Sequence, residues 1–207
     1  MAFSNLSLSA PTRKLLLELA QQTIHYGAHH GQLFPIELAN LPVEIRPPRA
    51  TFVTLEKQGQ LRGCIGSLEP KRPLAEDIAF NAFNAAFRDP RFPPVTPEEV
   101  TQLDIHLSIL SPLEALRFRS EAELLAQIRV GLDGLVLEER YRRSTFLPAV
   151  WEQLPDKRDF LAQLKRKAGL PAEYWSSHIR VYRYTVEVIK LGHKDEPNAA
   201  SAPDAQA

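Results

Sequence analysis

The sequence predicts an α+β fold with largely antiparallel sheets. Three observations point there. Segments of helical period alternate irregularly with short segments of period two, so no regular βαβ repeat is laid down. Turn signals such as Gln58-Gly59 join neighbouring strands directly. Seventeen prolines break the chain into short elements.

The first helix is expected from Thr12, as N-cap, to about Ala28, with Leu15, Leu16, Leu19, Ala20 and Ile24 on its apolar face. A proline-rich connection leads to a strand at 51–57, the Gln58-Gly59 turn and a second strand at 60–65. Pro73 opens a helix to about Phe87, and Glu76 and Asp77 suit its positive N-terminal end. Thr96-Pro97-Glu98-Glu99 reads as a capping box starting a short helix. Ile105, Leu107 and Ile109 alternate with His106 and Ser108, as in a strand. Ser120 with Glu123 caps a helix to about Ile128, Asp133-Gly134 makes a turn, and strands follow at 135–139 and 143–147. Asp156 starts a helix that ends in Lys165-Arg166-Lys167 before Gly169. Residues 178–190 form the last β segment. Residues 1–10 and 194–207 are expected to be a flexible end and a disordered tail, with the folded body at 11–193.

Composition narrows the function. Twenty-five basic residues balance twenty-five acidic ones. A protein whose main task is coating nucleic acid needs excess positive charge, so that class is disfavoured. The single cysteine, Cys64, excludes an intrachain disulfide and any zinc site of several cysteines. A lone thiol suits a reducing compartment. The sequence shows no signal peptide and no apolar run near the ~18 residues of a membrane span, so a cytoplasmic protein is expected.

Cys64 heads the candidates for chemistry. It lies in Leu61-Arg62-Gly63-Cys64-Ile65-Gly66, and Gly63 and Gly66 allow close approach of a ligand or unusual backbone angles. On a regular strand Arg62 and Cys64 share a face, and a guanidinium there favours the reactive thiolate. The alternative is a packed, inert thiol. Asp77, Asn81, Asn84 and Arg88 form one polar stripe on an otherwise apolar helix. That stripe either faces solvent or borders a polar cleft. Asp89-Pro90-Arg91 is either a rigid helix exit or a loop that places a carboxylate and a guanidinium over the thiol. Arg140, Arg142 and Arg143 either bind an anion or are a solvated hairpin. Two histidines, His25 and His29, share a helix face but lack further ligands, so neither a metal nor a cofactor is expected.

The run LRGCIG at 61–66 resembles the signature of the AMMECR family. Supporting blocks follow in order: Asn81-Ala82-Phe83-Asn84-Ala85-Ala86-Phe87-Arg88-Asp89-Pro90-Arg91-Phe92, Leu110-Ser111-Pro112, Gly131-Leu132-Asp133-Gly134-Leu135, Thr145-Phe146-Leu147-Pro148, Lys167-Ala168-Gly169-Leu170-Pro171 and Val181-Tyr182-Arg183-Tyr184. The resemblance spans about 12–190. His106 departs from it, standing where many prokaryotic relatives carry an acidic residue. The resemblance implies two α+β lobes with a cleft between them, the signature near that cleft, and no settled reaction. It implies Memo-family and radical S-adenosylmethionine proteins as pathway partners. The expected site then has Cys64 and Arg62 as its catalytic pair. Its expected binding residues are Gly63, Gly66, Asn81, Asn84, Asp89, Arg91, Arg143 and Thr145. A non-catalytic binding or adaptor protein for a small metabolite or those partners is the alternative, and RNA binding a third.

Overall fold

In the computed structural model, residues 8–190 are described; the tail expected at 194–207 lies outside them. Two four-stranded antiparallel sheets organise the chain. Sheet A has strands in the order β2 (Gln60–Gly66), β1 (Thr51–Lys57), β3 (Leu103–Leu110) and β8 (Val186–Lys190). Sheet B has the order β4 (Glu114–Ala115), β7 (Arg180–Tyr184), β5 (Gly134–Glu139) and β6 (Arg142–Phe146). The α+β expectation and the antiparallel pairing are both met.

The first helix, α1 (Ala10–His30), begins two residues before the expected cap. Ser9 is the N-cap, its hydroxyl accepting the Thr12 N–H, and Leu8 is already buried in the core. The loose end expected over 1–10 therefore does not extend to residues 8–10. At the other end Gly31, with φ 69°, closes the helix by donating to the Gly27 carbonyl. Helix α2 (Leu74–Phe87) lies beside α1 and covers β1 and β2. Val53, Leu55, Ile105, Leu107, Ile109 and Ile189 meet these helices in one core. Successive strand residues point to opposite faces, so Phe52, Thr54, His106, Ser108 and Val188 lie on the face of sheet A that no helix covers.

Sheet B carries its own helices, α3 (Glu121–Gln127) and α4 (Lys157–Lys167), over a second core built on Leu135, Leu137, Phe160, Leu164 and Val181. Asp156 caps α4 through the N–H groups of Arg158 and Asp159. Three expectations need correction here. Asp133 does not open a turn. It is fully buried, accepts from the Arg129 backbone and guanidinium, and Gly134 already belongs to β5. The turn of that hairpin is Arg140-Tyr141, with Arg140 at φ 53°. The capping box at Thr96 starts no α-helix, only a single 3-10 turn at Val100–Gln102.

The third concerns the last β segment. The β segment expected to run from 178 to 190 breaks at Thr185, so β7 joins sheet B and β8 joins sheet A. The chain leaves sheet A at Ser111 and returns at Thr185, and these two crossings are tied together. The Ser111 N–H donates to the Thr185 carbonyl at 2.9 Å, and the Thr185 N–H donates to the Ser111 hydroxyl at 2.9 Å. A small apolar cluster joins the lobes: Ala50, Leu110, Val136 and Tyr184 are its buried members, with Phe52, Leu147, Tyr182 and Val186 packed on them.

Candidate functional site

Cys64 occupies β2, an edge strand, opposite Thr54 of β1. This register puts its side chain on the helix-free face, where the Thr54 hydroxyl donates to Sγ at 3.3 Å. Thr54 in turn pairs with His106, and His106 with Lys190, so these side chains form one row across the sheet. His106 Nδ1 lies 3.7 Å from Glu56 Oε1 on the same face. Cys64 itself is partly exposed.

The Cys64 peptide is held from outside the sheet. Its N–H donates to Asp89 Oδ2 at 2.9 Å, and its carbonyl accepts from Arg91 Nη2 at 3.3 Å. Asp89 and Arg91 also grip each other, with Nη2 to Oδ2 at 2.7 Å and Nε to Oδ1 at 3.0 Å. Together they satisfy backbone groups that an edge strand would otherwise leave unpaired. Hydrogen bonds from Arg91, then from the Cys64 and Arg91 backbone, hold the Asp89 carboxyl well below the usual carboxylate range, against the effect of burial. The loop does carry a carboxylate and a guanidinium to Cys64, but to its peptide.

Arg62 does not share the face of Cys64. The pairing of β1 with β2 shifts between Leu55↔Gly63 and Glu56↔Leu61, leaving Arg62 as the extra residue of a bulge. The bulge turns its guanidinium toward Glu99, which accepts from Nη2 at 3.0 Å and Nε at 3.3 Å. The Pro93 carbonyl takes another bond at 2.9 Å. Lys57, on the helix-covered side by strand parity, reaches the same carboxylate at 3.0 Å. The reason for pairing Arg62 with the thiol, a shared strand face, is thus removed by the bulge.

The polar stripe of α2 is buried at Asp77, Asn81 and Asn84 and reaches solvent only at Arg88, its C-terminal end. Asp77 and Asn81 are buried against β1. The Thr51 hydroxyl donates to Asp77 at 2.7 Å, and the Asn81 amide donates to the Thr51 hydroxyl, the Thr51 carbonyl and Asp77. Burial pushes the Asp77 carboxyl up. Asn84 turns its amide back to the Phe80 carbonyl of its own helix. Asp77 and Asn81 thus tie the helix to the sheet beneath.

Both glycines of the signature are filled by protein. A Cβ on Gly63 would lie 2.2 Å from the Ala85 carbonyl oxygen of α2, and one on Gly66 2.3 Å from the Phe52 ring. From sheet B, Arg143 bridges Glu138 at 3.2 Å and, across the lobes, Glu69 at 3.0 Å. Thr145 bonds the Leu135 carbonyl and the Tyr184 hydroxyl. The structure therefore gathers Cys64, Asp89 and Arg91, links Arg143 to the loop after β2, and sends Arg62, Asn81 and Asn84 into the packing of the first lobe.

As neighbours of the Cys64 strand, Thr54, His106 and Glu99 are not marked by the sequence. Alternation within a strand could have put Thr54 and His106 on one outer face, but the β1–β3 register is long-range. Glu99 looked like a cap and does accept the Thr96 N–H, at 3.1 Å. Hydrogen bonds from Arg62, before Lys57, pull its pKa down to about 2. A depressed carboxyl stabilises the fold above its unfolded value, near 4.5, and that stability is lost as pH falls toward 2. Asp89 acts in the same sense, whereas Asp77, being raised, costs stability above its folded pKa and relieves that cost on protonation. Glu99→Gln is expected to lose about 2 kcal/mol at neutral pH and to flatten the acid limb. Urea unfolding between pH 7 and 3 checks this, and an unchanged acid limb would contradict it.

A two-lobed α+β architecture with a cysteine signature strand at a sheet edge defines the class. The chain belongs to the AMMECR1 family, whose model matches residues 17–189. A relative from Methanothermobacter thermautotrophicus is 43% identical over 192 residues, covering 91% of this chain and 97% of its own. One from Thermotoga maritima is 40% identical over 183 residues, covering 87% and 97%. The crystal structure of the uncharacterized protein PH0010 from Pyrococcus horikoshii is similar, with TM-score 0.78 and 34% identity, over 87% of this chain and 92% of that one. No helix among the described residues is long and apolar enough to cross a membrane.

Proposed function

We propose that the helix-free face of sheet A is the floor of a ligand cleft walled by sheet B, in which Cys64 is the group that meets the ligand. The chain would act as a cysteine-dependent enzyme or pathway component in a reducing cytoplasm. One observation carries this reading. The Cys64 peptide is clamped at both its N–H and its carbonyl while its side chain stands on the partly exposed face beside Thr54. Fixing the backbone of one residue so firmly pre-organises its side chain. Arg62, spent on Glu99, takes no part; Thr54 and His106 are the polar neighbours on offer.

The test is alkylation of the folded protein by iodoacetamide, read by intact mass. A single adduct under native conditions, absent in Cys64→Ser, is the expected result, with the variant melting close to the parent. Labelling only after unfolding would remove the thiol from any chemistry. A second reading makes the same face a docking surface for a Memo-family or radical S-adenosylmethionine partner. Its support is the exposed Leu61 and Val188, which register places on the side of Cys64.

A further inference from the structure

We infer a second ligand site, remote from Cys64 in the sequence, that takes an organic phosphate. It lies at the β7 edge of sheet B. There β4 pairs with β7 only at Glu114↔Arg183 and Ala115↔Tyr182, and one further bond runs from the Leu116 N–H to the Val181 carbonyl. Beyond this the chain swings away toward α3 and opens a pocket of about 510 Å³. That volume suits a small organic ligand. Arg117, Arg119 and Arg180 line it. Their guanidinium groups make no ion pair or hydrogen bond among the described residues. Three nearby arginines of the same lobe are paired instead: Arg183 with Glu114, Arg143 with Glu69 and Glu138, Arg129 with Asp133.

The pocket is more than a charged rim. Val181 and Ile179 are buried beneath it, and Phe118 and Tyr182 add aromatic wall. Glu123 is the one acidic lining residue, and its carboxylate already accepts the Arg119 N–H at 2.8 Å. Three free guanidinia against one carboxylate leave a net positive site over an apolar floor. Forked guanidinium donors match phosphate oxygens in pairs. The apolar and aromatic floor matches a flat or apolar body attached to the phosphate. A pocket, with zero net charge on the whole chain, fits a small phosphorylated molecule better than an extended nucleic acid.

The experiment titrates phenyl phosphate into the 207-residue protein by calorimetry, with melting temperature as a second readout. The expected result is saturable binding with a Kd of about 1 mM or below, accompanied by a rise in melting temperature. Phenol alone should give neither. The triple variant Arg117→Gln/Arg119→Gln/Arg180→Gln should weaken binding about ten-fold or more. Its own melting should stay near the parent's, since these side chains hold nothing together. Cys64→Ser should bind as the parent does, which separates this site from the proposed cleft. If the triple variant fails to fold, Arg119→Gln alone should still give a partial loss. Absence of binding, or equal binding by the variants, overturns the site. So does binding of a single-stranded RNA of about ten nucleotides where phenyl phosphate does not bind.

Discussion

Replacing Gly63 by alanine is expected to be the most damaging glycine-to-alanine change among the described residues. The new Cβ would sit 2.2 Å from the Ala85 carbonyl oxygen and 3.1 Å from its carbon, both backbone atoms of α2. A flexible side chain could swing away from such a clash, but a helix backbone can yield only by lifting from the sheet. Ala82, Ala85 and Ala86 of α2 lie in the same core as Val53 and Leu55, so lifting the helix opens that core. Overpacking of this kind costs about 3 kcal/mol, and more where no rotamer relieves it. Gly59→Ala is the matched control. It lies in the turn at φ 73° with nothing within 4 Å, so its cost is backbone strain alone, about 1 kcal/mol. Urea unfolding of the two variants should rank them clearly. Equal midpoints would mean that α2 is not seated on β2 as described.

This glycine also shows how far the sequence could be read. Most elements are legible where they rest on local signals: Ser120 and Asp156 as caps, Gly59 in the hairpin, the period-two run from Ile105 to Ile109. What stayed hidden depends on partners distant in the chain. A bulge at Arg62 flips its side chain because Glu99, 37 residues on, offers a carboxylate on the helix-covered side. Asn81 looked like a ligand-binding amide, yet it bonds Thr51, 30 residues earlier. Nothing in the run from 178 to 190 announces a break, since Thr185 is itself a good strand residue. The break comes from its paired hydrogen bonds to Ser111. Which side chains surround the Cys64 thiol is therefore set by register between strands, which the signature run by itself does not fix.

Asp89→Ala is expected to loosen that segment more than any other polar truncation. Its side chain is 2% exposed and accepts from the Cys64 N–H, the Arg91 N–H and two guanidinium nitrogens. Truncation leaves the edge-strand N–H of Cys64 without its partner and frees Arg91, which also holds the Cys64 carbonyl. Losing a buried, multiply bonded charge costs about 3 kcal/mol. Arg91→Ala should cost less, about 1 kcal/mol, because Asp89 keeps its two backbone donors and the lost guanidinium is 53% exposed. Asp89→Asn should fall between them, since one amide oxygen can still accept from Cys64. The same order should appear in the chemistry of the thiol. As the clamp weakens, β2 opens locally at lower cost, and iodoacetamide should label Cys64 faster at urea concentrations where all three variants remain folded. If stability falls in this order while labelling rates do not move, the clamp supports the fold without controlling access to the thiol. The case for a pre-organised cysteine would then lose its main support.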